Sequence, residues 1–277
     1  MYDIEIKGLK KSYKNKTIID GIDLQIERGE CFGLIGSSGV GKSTLLKIIM
    51  SQAKPDEGEV KVFGLNVEKE NICWENIGIM GEGIACFDRL TPRENLELLC
   101  RIHGIGFERV TELLNMVGLD DEKKQVRSLS KGMKQRLLFA KSIINSPELL
   151  LLDEPTSDLD PVNKSFIQEI IKSENKKGTT VIVTTHDMEE ASLLCDKIGI
   201  MYRGIFVEYG KFEDICDKHN LKPQIIVKDT NNKEYRINMD NESNNRLCEL
   251  LKKIEIADIY IKKPNLDEIF RKVNNER

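Results

Sequence analysis

One stretch decides the fold of this chain, and it runs Gly36-Ser37-Ser38-Gly39-Val40-Gly41-Lys42-Ser43-Thr44. It fits the pattern G-x-x-x-x-G-K-S/T without a gap, which predicts a phosphate-binding P-loop. The apolar run Cys31 to Ile35 before it is typical of a strand, and Leu45 to Met50 after it has the spacing of a helix face. A chance match in a glycine turn is the alternative, and the flanking strand and helix argue against it.

The chemistry of the loop suits a triphosphate. Backbone N–H groups, the positive end of a helix dipole of about half a charge and the Lys42 ammonium all face the negative charges. Glycine lets the backbone turn tightly and approach the phosphates closely. The Ser43 hydroxyl is placed to ligate Mg²⁺.

Composition narrows the class of protein. A chain of 277 residues, 40% hydrophobic and 32% charged, is typical of one or two globular domains. A net charge of -4 argues against a nucleic-acid partner. Seven scattered cysteines without C-x-x-C spacing indicate neither a zinc site nor a disulfide framework, and favour a reducing compartment. The longest apolar run, Leu149 to Leu152, is far shorter than the ~20 residues that span a bilayer, so we expect a membrane role only through a partner.

The N-terminal residues predict two strands, Asp3 to Leu9 and Ile18 to Ile26, joined by a basic turn over Lys10 to Thr17. Tyr13 falls in this turn. An exposed aromatic ring can stack on a purine base, a contact worth about 1–3 kcal/mol. A tyrosine packed on the core is the alternative, and the position of Tyr13 relative to the P-loop favours stacking.

A helical pattern follows between Thr91 and Ser146. Thr91-Pro92-Arg93-Glu94 predicts a capping box, with proline at the first helical position. A second helix is predicted over Phe107 to Val117, and a third begins near Ser130. We expect a helical subdomain at about 87–146 whose exposed face is available to a partner.

The segment Leu129 to Leu137 predicts a second anion site at a helix start, with Ser130 as the N-cap. One chain has a single nucleotide loop, so we expect Ser130 and Gly132 to contact the γ-phosphate held by another subunit. A capped helix without a ligand is the alternative.

Leu149 to Pro155 is a continuous apolar run that ends in two acids, which predicts a buried parallel strand entering the active site. Asp153 is predicted to hold Mg²⁺ and Glu154 to act as general base on water. His186 ends a further strand, Thr179 to Thr185, and is predicted to contact the γ-phosphate. Solvated acids and a structural histidine are the alternatives.

With these elements in this order, residues 1–215 resemble an ATP-binding-cassette (ABC) ATPase, and the match covers nearly all of that domain. The resemblance implies an α/β P-loop ATPase core with an antiparallel β subdomain and a helical subdomain. It implies ATP and Mg²⁺ as cofactors, and a head-to-tail dimer with a second ATPase subunit. By resemblance, Tyr13 is the adenine-stacking aromatic, 36–44 the Walker A loop, 129–133 the signature, 149–154 Walker B, 157–160 the D-loop and His186 the switch histidine.

Three positions depart from the family pattern. Glu82 stands where the family has glutamine, and it is predicted as a metal ligand. A glutamate at this position resembles the corresponding loop in the ATPases of lantibiotic-immunity and bacitracin-type exporters. Lys131 and Met133 replace glycine and glutamine in the signature, a form found in drug-exporter ATPases. Asp158 replaces a small residue of the D-loop.

Residues 216–277 form a linker and a small C-terminal α+β accessory domain by resemblance to daunorubicin-type exporter ATPases. Strands are predicted at Gln224 to Lys228, Tyr235 to Met239 and near Ala257 to Ile261, with helices over Glu242 to Lys253 and from Leu266. We expect this domain to pack on the cassette or on its partner; a solubilising appendage is the alternative.

The resemblance therefore implies an ATPase subunit that exports a drug or antimicrobial peptide through a separate transmembrane permease. We expect it to be cytoplasmic, held at the inner face of the membrane by that partner, with no nucleic acid bound. A non-transport ABC ATPase switch acting on ribosomes or nucleic acid is the alternative. A nucleotide-binding regulator without hydrolysis is a third possibility, against which Glu154 and His186 argue.

Overall fold

A computed structural model of the chain describes residues 1–14, 16–81, 84–120, 123–240, 242–264 and 268–269. The helices and strands follow one another in the order β1 (Tyr2–Tyr13), β2 (Lys16–Glu27), β3 (Cys31–Ile35), α1 (Lys42–Ile49), β4 (Glu57–Val62), β5 (Leu65–Asn66), β6 (Ile77–Met80), α2 (Pro92–His103), α3 (Glu108–Met116), α4 (Lys131–Ser142), β7 (Leu149–Asp153), α5 (Pro161–Lys176), β8 (Thr180–Thr185), α6 (Met188–Leu194), β9 (Lys197–Tyr202), β10 (Ile205–Gly210), α7 (Phe212–Lys218), β11 (Gln224–Asp229), β12 (Glu234–Asn238), α8 (Ser243–Leu251) and β13 (Ile256–Lys262). The chain divides into two compact units, Met1–Tyr209 and Gly210–Arg277.

The first unit contains an antiparallel sheet of four strands in the order β2-β1-β4-β5. The predicted basic turn over Lys10 to Thr17 is wrong, because β1 continues to Tyr13 and β2 begins at Lys16. Lys10 and Lys11 remain in the strand, where their ammonium groups pair with Glu57, the first residue of β4, and with Asp56 just before it. These partners lie more than forty residues away in the sequence. Without them, the local run of basic residues is typical of an exposed turn.

A second sheet of six strands has the order β10-β9-β3-β8-β7-β6. The pairs β6-β7, β7-β8, β8-β3 and β3-β9 are parallel. The predicted buried strand β7 is confirmed. Leu149 and Leu151 pack in one hydrophobic cluster with α1 and the antiparallel sheet. Leu150 and Leu152 pack in another cluster with the helices α2 to α5. A strand covered on both faces needs apolar residues at consecutive positions. The first polar residue of β7 therefore lies where this strand leaves the core.

The helices between β6 and β7 begin where the sequence predicts. Thr91 caps α2 with a complete capping box: its hydroxyl accepts from the Glu94 N–H, and the Glu94 carboxylate accepts from the Thr91 N–H at 2.7 Å. Ser130 caps α4 by accepting from the Met133 N–H at 3.2 Å. Leu96, Leu113 and Leu137 bury these helices in one cluster. The two predicted helix starts are confirmed.

The second unit contains an antiparallel sheet in the order β12-β11-β13, with α8 packed on it. The three predicted strands and the helix after Glu242 are present, with ends that differ by at most two residues. The predicted helix from Leu266 begins outside the described residues. Within the part of the chain that the structure describes, no helix has the length and hydropathy needed to cross a bilayer.

Candidate active site

A cleft of about 520 Å³ opens at the carboxyl ends of β3, β7 and β8. Parallel sheets bind ligands at this edge because the strand ends present loops and helix N-termini there. The cleft brings together residues from the P-loop, the two acids after β7, the histidine after β8 and the end of β1. Its lining consists of Tyr13, Ile18, Ser38, Gly39, Gly41, Lys42, Ser43, Thr44, Asp153, Glu154, Ser157 and His186.

The P-loop depends on two glycines for its path. Gly41 has φ 120°, a backbone conformation that residues with a side chain rarely adopt. A Cβ there would come within 2.9 Å of the Ile18 carbonyl oxygen. A Cβ on Gly36 would lie 2.8 Å from the Met201 carbonyl oxygen. The helix α1 begins directly after Gly41, so its free N–H groups and its dipole face the cleft. The predicted loop, Gly36 to Thr44, is thus shaped for an anion.

Lys42 is held inside this loop. Its side chain is 6% exposed, and its Nζ donates to the carbonyl oxygens of Gly36 at 2.7 Å and Ser37 at 3.3 Å. The same nitrogen lies 3.3 Å from Oε1 of Glu154. An ammonium so placed can exchange its carboxylate partner for a phosphate oxygen without leaving the loop.

Glu154 connects the two sides of the cleft. Its backbone has φ 50°, in the left-handed region, and its N–H donates to the carbonyl oxygen of Thr184 at 3.1 Å and to the hydroxyl of Thr184 at 3.0 Å. Its Oε2 lies 2.6 Å from Nδ1 of His186, while Oε1 faces Lys42. A carboxylate oriented by an imidazole and a lysine is suited to accept a proton from water.

Ser43 and Asp153 line the same cleft, and the Asp153 carboxylate accepts a hydrogen bond from the Thr184 hydroxyl. Among the described residues, no group of three or more His, Cys, Asp or Glu side chains is arranged to hold a metal ion. The oxygen atoms of Ser43 and Asp153 suit Mg²⁺, which is usually held by one or two protein groups together with phosphate oxygens and water. The third predicted ligand, Glu82, lies outside the described residues.

Tyr13 stands at the end of β1 and contributes to the cleft wall. The residue is 48% exposed, and the Lys11 ammonium lies 5.2 Å from the ring centre. Stacking on a base stays a prediction.

Ser130 and Gly132 lie apart from this cleft, at the start of α4. Ser130 is exposed, whereas Gly132 is buried, and a Cβ on Gly132 would lie 2.6 Å from the Asn163 side chain. We call Ser130, Lys131, Gly132 and Asp158 the signature corner, and residues 36–44 with Asp153, Glu154 and His186 the P-loop corner. The structure therefore gives Gly132 a packing role, and contact of either residue with a phosphate stays a prediction.

Two further residues, which the sequence analysis did not single out, hold the site in place. The buried hydroxyl of Thr184 bonds both to Asp153 and to the N–H of Glu154. Gln135 donates from Nε2 to the Pro155 carbonyl oxygen at 2.8 Å, which joins α4 to the turn after β7. A threonine in an apolar strand gives no local signal, although its place opposite Asp153 in the β7-β8 register identifies it once the sheet is known.

A P-loop and a carboxylate pair at the carboxyl edge of a parallel sheet, beside an antiparallel sheet and a helical segment, define a nucleoside triphosphatase. The family model described as "ABC transporter" matches residues 19–157, and the chain belongs to this family. The predicted fold class and family resemblance are confirmed.

Relatives and solved structures agree. The linearmycin resistance ATP-binding protein of Bacillus subtilis is 38% identical over 78% of this chain and 71% of its own length. The bacitracin transport ATP-binding protein of Enterococcus faecalis is 36% identical over 82% and 75%. A dimeric ATP-binding cassette in a post-hydrolysis state with ADP and Pi superimposes with a TM-score of 0.69 at 29% identity, covering 75% of this chain and 98% of its own.

This chain is accordingly an ATP-binding, ATP-hydrolysing subunit of an ABC transporter. The relatives favour the transporter prediction over a switch that acts on ribosomes or nucleic acid.

Proposed function

We propose that this chain supplies the energy for exporting a drug or antimicrobial peptide through a separate transmembrane permease. The observation that supports it most is the Lys42–Glu154–His186 arrangement, which has the parts for hydrolysis. The substrate class is taken from the relatives, which are named for resistance to linearmycin and for transport of bacitracin and lantibiotics. On this proposal the chain lies at the inner face of the membrane, on its permease.

Within the cleft, the P-loop N–H groups and Lys42 bind the β- and γ-phosphates of ATP, and Tyr13 stacks on the base. Ser43 and Asp153 hold Mg²⁺, which supplies charge neutralisation at the phosphates. Glu154 takes a proton from the attacking water, and His186 orients Glu154 through Nδ1. Phosphate binding replaces Glu154 as the partner of Lys42, which frees Oε1 of Glu154 for water.

Two such subunits are proposed to form a head-to-tail dimer. Ser130 lies outside the cleft of its own chain, and as an N-cap it stands at the positive end of a twelve-residue helix. In the dimer this helix start contacts the γ-phosphate bound by the other subunit. We also propose the division into an ATPase domain, 1–215, and a linker with a small accessory domain, 216–277.

The proposal is tested by co-purification from the native membrane. A tagged chain is extracted with mild detergent, and the proteins retained with it are identified by mass spectrometry. A polytopic membrane protein that raises the rate of ATP hydrolysis is the expected result. Retention of ribosomal proteins in place of a membrane protein would contradict the proposal. Unchanged resistance to drugs and peptides in cells whose chain no longer binds the membrane partner would also contradict it.

A further inference from the structure

Strand β13 (Ile256–Lys262) stands at one edge of the antiparallel sheet in the second unit. Within the part of the chain that the structure describes, β13 pairs only with β11. Its other side therefore presents backbone N–H and C=O groups to solvent. The first six residues of β13 are all exposed. An open strand edge of this kind is a template for one further strand, which adds to the sheet through main-chain hydrogen bonds.

The open edge carries exposed apolar side chains. Ile259 and Ile261 are 47% and 57% exposed. They lie opposite Val227 and Ile225 of β11, and directly opposite residues of two paired strands share one face of the sheet. On that face α8 packs on the cluster of Ile225, Val227 and Ile237. The two isoleucines of β13 therefore continue the apolar surface of this face to the open edge.

The opposite edge of the same sheet, β12, is built differently. Glu234 and Arg236 form an ion pair within this strand, with 3.4 Å between Oε2 and Nη2. The one buried residue of β12, Ile237, belongs to the cluster on which α8 packs. Charged side chains on an edge strand discourage pairing with another chain. Of the two edges, β13 is therefore the one suited to accept a further strand.

Two charges on β13 indicate which strand fits there. Asp258 and Lys262 have opposite signs, share one face of the strand and stand two residues on either side of Tyr260. A second copy of β13 can run antiparallel to the first with Tyr260 opposite Tyr260. Asp258 of each copy then lies opposite Lys262 of the other, and Ile259 lies opposite Ile261. In this register the strand is complementary to itself in both charge and apolar contact.

We propose that two copies of this chain associate through β13, antiparallel and about a two-fold axis at Tyr260, so that two sheets of three strands join into one of six. Both copies use the same edge, so the assembly closes as a dimer. Main-chain hydrogen bonds and the four isoleucines supply the affinity, whereas the exposed ion pairs contribute little and fix the register. The contact is small, so we expect a Kd in the micromolar range. This dimer needs no nucleotide and is independent of the head-to-tail dimer of the proposed function.

The oligomeric state of the full chain without nucleotide tests the contact. Analytical ultracentrifugation over a range of protein concentrations should show a monomer and a dimer in equilibrium. Ile261→Lys places a charge among the paired isoleucines and should raise the Kd about tenfold or more. Arg236→Glu is the matched control, because Arg236 is an exposed charge on the other edge of the same sheet. It should leave the Kd unchanged.

An exchange of charges tests the register. Asp258→Lys brings lysine opposite Lys262 of the other copy, and Lys262→Glu brings two carboxylates together, so each variant alone should raise the Kd about tenfold. An equimolar mixture of the two variants should dimerise with a Kd within about threefold of the unchanged chain, because every charge then faces an opposite one. Recovery on mixing also excludes misfolding as the cause, including misfolding from loss of the ion pair between Lys262 and Glu268.

Several results would overturn the inference. They are a chain that stays monomeric at all concentrations, a dimer whose Kd is unchanged in Ile261→Lys, and a mixture that dimerises no better than the single variants. A monomeric chain whose membrane partner occupies β13 would overturn it as well, and Ile261→Lys would then weaken that complex instead. Lys42→Ala separates the two dimers, since it should abolish association driven by ATP and leave the β13 dimer intact. An unchanged chain that fails to associate further with ATP would contradict the head-to-tail dimer alone.

Discussion

The lysines at the two corners of this ATPase differ in their exposure and in their partners. At the P-loop corner Lys42 is 6% exposed and has partners within its own chain on both sides, two carbonyl oxygens and Glu154. At the signature corner Lys131 is 61% exposed and pairs with an exposed carboxylate. The first lysine is preorganised inside one subunit, and the second is presented outward. The comparison teaches that phosphate binding can be completed within one chain, whereas hydrolysis on our proposal needs a second.

Replacement of Glu154 by Gln is the change with the largest expected effect. Glutamine keeps the shape but cannot accept the proton of water, so we expect ATP hydrolysis to fall by about 10²-fold or more. ATP binding should persist, and the dimer should accumulate with ATP trapped in it. Phosphate release and light scattering measure the two outcomes. Hydrolysis at the original rate would show that another group acts as base.

Replacement of Lys42 by Ala tests whether the P-loop corner is complete within one chain. It removes the ammonium and leaves Glu154 as the nearest charge, so we expect the Kd of the monomer for ATP to rise about 30-fold or more. Equilibrium binding of a fluorescent ATP analogue measures it. Lys176→Ala is the control, since Lys176 is exposed at the end of α5. Equal loss of affinity in the two variants would refute the assignment.

The sequence predicts the P-loop corner well because its residues follow strands that local pattern alone identifies. Leu149 to Leu152 must be apolar to fill both faces of the sheet, so Asp153 and Glu154 stand out as the first acids beyond it. The same holds for His186 after β8. Parallel pairing then brings these ends to one edge.

What the sequence could not predict depends on contacts between distant residues. Lys10 and Lys11 resemble a turn until β4 provides their acidic partners. Asp158 pairs with Lys131, twenty-seven residues earlier in the chain, and no local pattern indicates this contact. Such pairs leave no local periodicity, because the two partners lie far apart in the sequence.

Replacement of Ser130 by Ala tests the signature corner, with a smaller effect. The loss of the N-cap should lower the free energy of unfolding by about 1 kcal/mol. Binding of ATP to the monomer should be unchanged, while the kcat/KM for hydrolysis should fall about tenfold because one contact to the phosphate of the partner is lost.

The matched control for Ser130 is Thr91→Ala, which removes the N-cap of α2 away from both corners. It should lower stability by a similar amount, measured by urea unfolding, and leave the rate of hydrolysis unchanged. If the two variants lose activity equally, the effect of Ser130 is one of stability, and the two corners are not distinguished by function.

Replacement of Thr184 by Val has the smallest expected effect on catalysis and acts on the P-loop corner from behind. Valine keeps the volume of the buried side chain but removes the hydroxyl that donates to Asp153 and accepts from the Glu154 N–H. The Glu154 N–H retains the carbonyl oxygen of Thr184, at 3.1 Å, so Glu154 should stay in place. Asp153 loses its donor, and we expect about a threefold rise in the Mg²⁺ concentration needed for half-maximal hydrolysis, with about 1–2 kcal/mol less stability.

Thr184→Ser, which restores the hydroxyl, should recover the Mg²⁺ requirement even though it opens a small cavity. If serine and valine shift that requirement equally, packing rather than the hydrogen bond orients Asp153.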